Sequence, residues 1–278
     1  MADNFQLFRL ALLPRIQATF LEPGPDQIER EMWLRELFGQ QETFAHHGTD
    51  FHFQPFDADR RDGVMVARLG RQIARPENRP PNEGLEDYTH EGWRAALVVL
   101  DPSDHEDGQK LAIQSVSDVG KPHALAKSLV GMLNRRKTEP PYTIEIGPIL
   151  STESFWDFER ENRGNVIAVH FEFIAPNIWG GDDEFKKEME EFRDSERARR
   201  VQLELNNNEG LNLETDRIHQ AVEYAGHRGG GIRARAKGKK KYNSKNNHKY
   251  TKLEDEQGEK MGFLERARNF AQRILGRE

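Results

Sequence analysis

Ten Lys and Arg residues lie between Tyr224 and Leu253, in a stretch that contains no Asp or Glu. The formal net charge of −6 therefore divides into +10 within this segment and −16 over the rest of the chain. Such polarised charge favours a polyanionic partner, because each phosphate that a cation neutralises releases condensed counterions. The candidate nucleic-acid-binding residues are Arg228, Arg233, Arg235, Lys237, Lys239, Lys240, Lys241, Lys245, Lys249 and Lys252.

The pattern within this segment predicts a two-stranded basic ribbon over residues 226–253. A glycine hinge at 229–231 precedes residues 232–237, where Ile and Ala alternate with Arg and Lys, and a second strand is expected at 248–253. Lysines 239–241 would form a flexible tip, and Tyr242 and Tyr250 could stack on bases or pack locally. The alternative is a solvated lysine loop balanced by the acidic residues 182–191. Because no zinc-finger or helix-turn-helix fingerprint is present, we expect binding to the phosphate backbone without sequence specificity.

A cluster of acidic residues offers a second hypothesis, a metal-dependent nuclease. Such an enzyme needs grouped carboxylates and usually a lysine that stabilises the scissile phosphate. The same residues would also suit the solvated tip of a hairpin, so both interpretations stay open. The residues concerned are Asp101, Asp104, Glu106, Asp107 and Lys110.

Three smaller groups have metal-ligand residue types but not the spacing of a standard site. The first is His46, His47, Asp50 and His52, where we expect His52 to face solvent or to pack against a neighbour. The second resembles a calcium loop, but Arg68 stands where a bidentate Glu is needed, so a tight turn is expected; it comprises Asp57, Asp59, Asp62 and Gly63. The third is the pair His170 and Glu172, which would share one face of a strand.

The sequence therefore predicts no catalytic residue, metal or cofactor, and a binding protein is expected in preference to an enzyme. It contains no phosphate-binding Walker loop, dinucleotide fingerprint or nucleophile elbow. The absence of cysteine excludes disulfides, Cys-ligated zinc, iron–sulfur clusters and thiol nucleophiles. The first residues lack a basic region before their short apolar run, and no apolar run approaches the roughly 18 residues of a membrane span. We expect a cytoplasmic protein with no membrane insertion.

The hydrophobic periodicity predicts an α+β fold, with mostly antiparallel sheets, segregated helices and two subdomains. Residues 75–92 contain Pro, Asn, Gly and acids without an apolar period, which predicts a loop or linker. Residues 1–90 would then form an N-terminal α+β subdomain with its linker. Residues 91–278 would form a C-terminal α+β domain that carries the ribbon and a terminal helix. Strands are predicted at 5–13, 51–56, 64–69, 95–100, 111–116, 142–146, 166–174 and 201–205, and helices at 28–38, 122–137, 185–192, 215–224 and 263–275.

Several of these segments follow one another in an order that resembles the RexA family, the DNA-binding components of prophage-encoded exclusion systems. They read AALVVL, KLAIQSV, ALAKSLVGML, YTIEIGPIL, NVIAVHFEFIAP and GIRARAKGKKKYNSKN. The order is also similar to that of an uncharacterised group of bacterial proteins associated with phage defence. The resemblance implies a dimeric, non-specific DNA binder that responds to phage replication intermediates and signals to an effector partner.

Overall fold

The computed structural model describes residues 3–14, 30–56, 63–103, 105, 108–135, 141–174, 188, 191–192, 195–196, 198, 200–227, 230–253, 265, 268–269 and 271–276. The strands are β1 (Asp3–Pro14), β2 (Glu42–His46), β3 (Thr49–Phe56), β4 (Met65–Asn78), β5 (Asp87–Asp101), β6 (Gln109–Gln114), β7 (Tyr142–Pro148), β8 (Val166–Ile174), β9 (Arg200–Asn206), β10 (Gly231–Ala236), β11 (Lys241–Asn243) and β12 (Tyr250–Leu253). The helices are α1 (Arg30–Phe38), α2 (Pro122–Arg135), α3 (Glu153–Glu161), α4 (Asp216–His227) and α5 (Ala271–Ile274).

The first sheet contains eight antiparallel strands in the order β12-β1-β6-β5-β4-β3-β2, with β7 also paired to β1. Alternate residues of β1 pack into two different cores, because successive side chains of a strand point to opposite faces of the sheet. Phe8 and Leu10 join the core under α1 and α2, whereas Phe5 and Leu7 join a second core on the opposite face. The predicted terminal helix contributes to that second core through Ala271, Ile274 and Leu275, so its described end covers the protein's own sheet.

The second sheet contains four antiparallel strands in the order β11-β10-β8-β9. Helices α3 and α4 cover one of its faces. The core between them includes Phe155 from α3, Val222 from α4, and Phe171 and Ile232 from the strands. The segregated helices and antiparallel sheets confirm the predicted α+β class.

The predicted loop at residues 75–92 is wrong, because these residues belong to a long hairpin. Strands β4 and β5 stay paired from Arg71 and Arg94 out to Asn78 and Asp87, well beyond the buried part of the first sheet. None of the residues along this arm is buried. Since both faces of the arm meet solvent, its sequence carries no apolar alternation from which strands could be predicted.

The predicted subdomain boundary at residues 90/91 falls inside β5, where the first sheet is continuous. The chain instead leaves the first sheet after β7 and returns to it at β12. Backbone hydrogen bonds tie the two sheets together at this crossing. The N–H of Leu150 donates to the carbonyl of Gly226 (2.9 Å), and the N–H of Lys249 donates to the carbonyl of Ile149 (2.9 Å). In the described part of the chain, no helix has the length and apolar character needed to cross a membrane.

Candidate nucleic-acid interface

The second sheet has one face packed under helices and one face open, and the open face carries the basic residues of β10. Ile232, Ala234 and Ala236 point into the core, with 1%, 7% and 1% of their surface exposed. Arg233 and Arg235 alternate with them and are exposed. The structure thus confirms the predicted alternation, which arises because apolar side chains are buried under the helices while long cations extend into solvent.

The strand register brings further polar residues beside these two arginines. Arg233 lies opposite His170 on β8 and Asn243 on β11, and Arg235 lies opposite Lys241 on β11. Neighbouring strands are about 4.8 Å apart, and alternate residues along one strand are about 6.6 Å apart. His170 and Asn243 were not predicted as members of this surface, although the alternation of β8 already placed His170 on one face with Glu172.

The turn between β10 and β11 places three more lysines at the end of this surface. Gly238 and Lys239 both have positive φ angles, 73° and 65°, as the mirror-image turns of tight hairpins require. The N–H of Lys237 donates to the carbonyl of Asn165 (2.9 Å), and its ammonium donates to the carbonyl of Glu209 (3.0 Å). These bonds hold the beginning of the turn against a neighbouring loop. We call Arg233, Arg235, Lys237, Lys239, Lys240 and Lys241 the basic face.

The cations of the basic face have no carboxylate partner among the residues that the structure describes. Other arginines of the same sheet and its helices are paired. Arg200 contacts Glu172 (2.7 Å), Arg217 contacts Glu188 (3.0 Å) and Arg163 contacts Glu214. Glu204 lies on the same open face, opposite His170 and two strands from Arg233, but it forms no ion pair with the basic face. The positive charge of the basic face is therefore available to an external anion.

The predicted partner strand of the ribbon is wrong. Strand β10 pairs with β11, whereas residues 250–253 form β12 and pair with β1 in the first sheet. The sequence of β12 alternates in the same way for either partner, so local pattern could not distinguish them. As a result Lys252 lies on the first sheet, and the exposed Lys245 and Lys249 lie on the connection between the sheets. Arg228 lies outside the described residues.

The two tyrosines of the segment have different environments. Tyr242 is 7% exposed, its hydroxyl is 2.9 Å from the hydroxyl of Ser154, and its ring packs against Phe155. Burial raises the pKa of Tyr242 above its usual value. Tyr242 therefore packs locally and does not present its ring to a base. Tyr250, on β12, is 48% exposed.

The described part of the acidic cluster is buried. Asp101 is 3% exposed, and its carboxylate lies 2.9 Å from Nε2 of His105. The ammonium of Lys110, 8% exposed, donates to the carbonyl of Gly276 (3.3 Å). The other three predicted residues, Asp104, Glu106 and Asp107, lie outside the described residues. No observation here favours the nuclease hypothesis over a structural role.

The remaining candidate groups do not converge. His46 contacts the hydroxyl of Ser128 (2.7 Å), whereas His52 contacts Thr43 (3.0 Å) and packs against the ring of Trp93. The prediction that His52 packs against a neighbour is confirmed. Asp57, Asp59 and Asp62 lie outside the described residues, next to Gly63. His170 and Glu172 share the open face of β8, as predicted. Within the described ranges, no three His, Asp or Glu residues are grouped as metal ligands.

A pair of histidines joins the basic segment to the first sheet and predicts a pH dependence of stability. The ring centroids of His123, in the first turn of α2, and His248 are 5.7 Å apart. Burial, followed by neighbouring positive groups that include Lys127, lowers the pKa of both residues below the usual histidine value of about 6.5. The unfolded chain therefore binds more protons than the folded chain below pH 6.5, so acidification destabilises the fold.

We expect the melting temperature to fall between pH 7.5 and pH 5.5, and to fall less in a His123→Asn/His248→Asn variant. Thermal unfolding of both proteins in matched buffers measures the difference. An equal fall in both proteins would show that His123 and His248 do not cause the pH dependence, since the two proteins differ only at these positions.

Comparison of the chain with protein-family models, with curated proteins and with solved structures found no match.

Proposed function

We propose that this protein binds DNA through its basic face, by contacts to backbone phosphates and without sequence specificity. The observation that supports this most directly is the set of six exposed cations on one sheet face and its turn, with no carboxylate partner among the described residues. A purely structural role would not require unpaired positive charges to be concentrated at one place in an acidic protein. Arg233 and Arg235 offer planar guanidinium groups that suit phosphate oxygens, and the lysines extend the positive field.

The residue types favour contact with the backbone over reading of bases. Lysine presents a compact charge on a flexible stem, and the buried Tyr242 cannot stack on a base from this face. The cations follow one another at intervals of about 5–7 Å along and across the strands, so adjacent side chains can reach separate phosphates. Phosphate contacts of this kind fix position on a duplex and carry no direct sequence information.

The proposed biological setting is a bacterial or prophage antiphage system, of the abortive-infection or exclusion type. This part of the proposal is supported by the order of elements that resembles the RexA family. On this basis the protein is a cytoplasmic homodimer that senses phage DNA and couples to an effector protein. Efficiency of plating on cells that express the wild-type protein or a variant without the basic face tests this setting.

A binding titration at two salt concentrations tests the DNA-binding proposal. If six to ten phosphates are contacted, the affinity for duplex DNA should fall roughly 10³–10⁵-fold between 50 and 200 mM salt, because counterion release drives the association. Fluorescence anisotropy with labelled duplex DNA measures this. Parallel titrations with single-stranded DNA and duplex RNA test whether RNA is preferred, since charge alone does not separate the two nucleic acids. An affinity that does not change with salt would contradict the proposal.

A further inference from the structure

A second group of basic side chains surrounds a cavity on the first sheet, outside the basic face. The cavity has a volume of about 300 Å³ and lies between the β2–β3 hairpin, β4 and the start of α2. Its lining includes His46, His47, Arg71 and Lys121, together with Thr49, and contains no Asp or Glu. Four residues that are cationic or can become so therefore line one partly open cavity. This arrangement is unusual for a chain that carries an excess of acidic residues.

The hairpin holds its two histidines at this cavity. His47 and Gly48 form the two-residue connection between β2 and β3, and both have positive φ angles, 49° and 77°. This is the mirror-image turn that suits tight hairpins, and His is among the residues that tolerate the left-handed region. Nδ1 of His46 is 2.7 Å from the hydroxyl of Ser128 on α2. The hairpin is thereby fixed against the helix.

The guanidinium of Arg71 forms no ion pair with a carboxylate of the described residues. Its Nε donates to the backbone carbonyl of Asp118 (2.8 Å), a neutral acceptor, and the group lies 5.8 Å from the centroid of the Phe51 ring. The carboxylate of Asp118 is bonded to Arg75 and lies 3.8 Å from Arg94. Burial, followed by the charges of His47 and Arg71, lowers the pKa of His46, which is consistent with a positive potential at the cavity.

We infer that this cavity binds a phosphate monoester, carried either by a small nucleotide or by the end of a DNA strand. Its volume is at the lower limit of small-molecule pockets, which suits a ligand of about mononucleotide size. Arg71 supplies a planar donor group and Lys121 a point charge, the combination with which proteins commonly hold phosphate. The site goes beyond the proposed backbone binding, and only the DNA-end source depends on that proposal.

Calorimetric titration with AMP and with adenosine tests the inference, because the two probes differ only in the phosphate. We expect AMP to bind the wild-type protein at least tenfold more tightly than adenosine. Arg71→Ala and Lys121→Ala should each weaken AMP binding on the order of 10–100-fold, since hydrogen bonds to charged groups are among the strongest. Arg68→Ala is the matched control. It removes one charge from the same strand at an exposed position outside the cavity lining, and should change AMP binding less than twofold.

Duplexes with a 5′-phosphate or a 5′-hydroxyl end distinguish a small nucleotide from a DNA end as the source of the phosphate. A preference for the phosphorylated end that disappears in Lys121→Ala, without binding of AMP, assigns the site to DNA ends. The inference is overturned if neither phosphorylated probe binds better than its unphosphorylated counterpart, or if the preference persists in both variants. Circular dichroism checks folding. If the Arg71→Ala variant does not fold, the Lys121→Ala variant alone decides the test, because Lys121 is exposed and its replacement should not disturb folding.

The proposed DNA-binding function can fail independently of this inference. Closed circular DNA has no end, so its binding measures the basic face alone. A variant with Arg233, Arg235 and Lys241 replaced by Ala should lose that binding and keep the affinity for AMP.

Discussion

Replacing Arg233, Arg235 and Lys241 together with Ala should weaken binding to duplex DNA on the order of 10²–10³-fold at 100 mM salt. Each phosphate contact contributes about 0.9 to the slope of log affinity against log salt, so the slope should become smaller in magnitude by about 2.7. These three residues are neighbours on the open face of the second sheet, where a single phosphate strand could contact all of them. Titrations between 50 and 200 mM salt measure both quantities.

Folding of this variant should change little. The three side chains are exposed and have no ion pair in the described part of the chain. Surface substitutions of this kind usually change the free energy of unfolding within about 0.5 kcal/mol each. Denaturant unfolding of the variant therefore serves as an internal check that loss of binding is not loss of structure.

A second triple variant provides the matched control. Arg160, Arg163 and Arg217 lie on or next to α3 and α4, the helices on the opposite face of the same sheet, and all three are exposed. Changing them to Ala removes the same net charge but no residue of the basic face. It should leave DNA affinity within about threefold of wild type, since exposed charges that do not contact the DNA are largely screened. Equal losses in both variants would show that overall charge, and not the basic face, determines binding.

Gly230→Ala should destabilise the protein by about 1–3 kcal/mol, the usual cost of forcing an extra group into a packed site. A β-carbon at this position would lie 2.2 Å from the backbone carbonyl oxygen of Glu172 and 3.0 Å from the α-carbon of Ala225. Neither backbone atom can move without disturbing β8 or α4. Urea denaturation measures the loss as a lower midpoint.

Gly231→Ala, one residue later, is the control. Its β-carbon would meet no atom closer than 3.9 Å, so the free energy of unfolding should stay within about 1 kcal/mol of wild type. The pair of variants also distinguishes two roles for the predicted glycine hinge. The N–H of Gly230 donates to the carbonyl of Ala225 (3.0 Å), which indicates a close-packed joint between α4 and β10. A freely moving hinge would tolerate Ala equally well at both positions.

The part of the interface that could be predicted is the part that local sequence determines. Alternation of Arg with Ala over β10 fixes which side chains face solvent once that strand has one buried face. The same logic predicted β3 and β8, whose apolar residues meet helices. Strand β1 was predicted from its β-propensity and from Pro14 at its end. Helix α3 was missed, although Phe155 and Trp156 pack in the core of the second sheet, because it is short and mostly polar.

What could not be predicted depends on contacts between residues far apart in the chain. The pairing of β12 with β1 joins Phe5 to Thr251, and no local pattern specifies that choice. The cavity was missed for a similar reason. Its four basic residues come from three separate segments, and neither Arg71 nor Lys121 stands near the histidines in sequence. Only the stacking of α2 on the hairpin brings them together.

The position of β12 also constrains the order in which the strands of the first sheet can pair during folding. Residues 3–6 of β1 pair with residues 250–253, so this pairing cannot form until residue 253 has left the ribosome. Contacts of such long sequence separation slow folding, because the entropy of closing the loop is lost before the pairing stabilises the sheet. Until then the N-terminal strand exposes unpaired backbone groups at that end. The part of the basic segment that precedes β12 is therefore anchored to both sheets only after β12 has paired with β1.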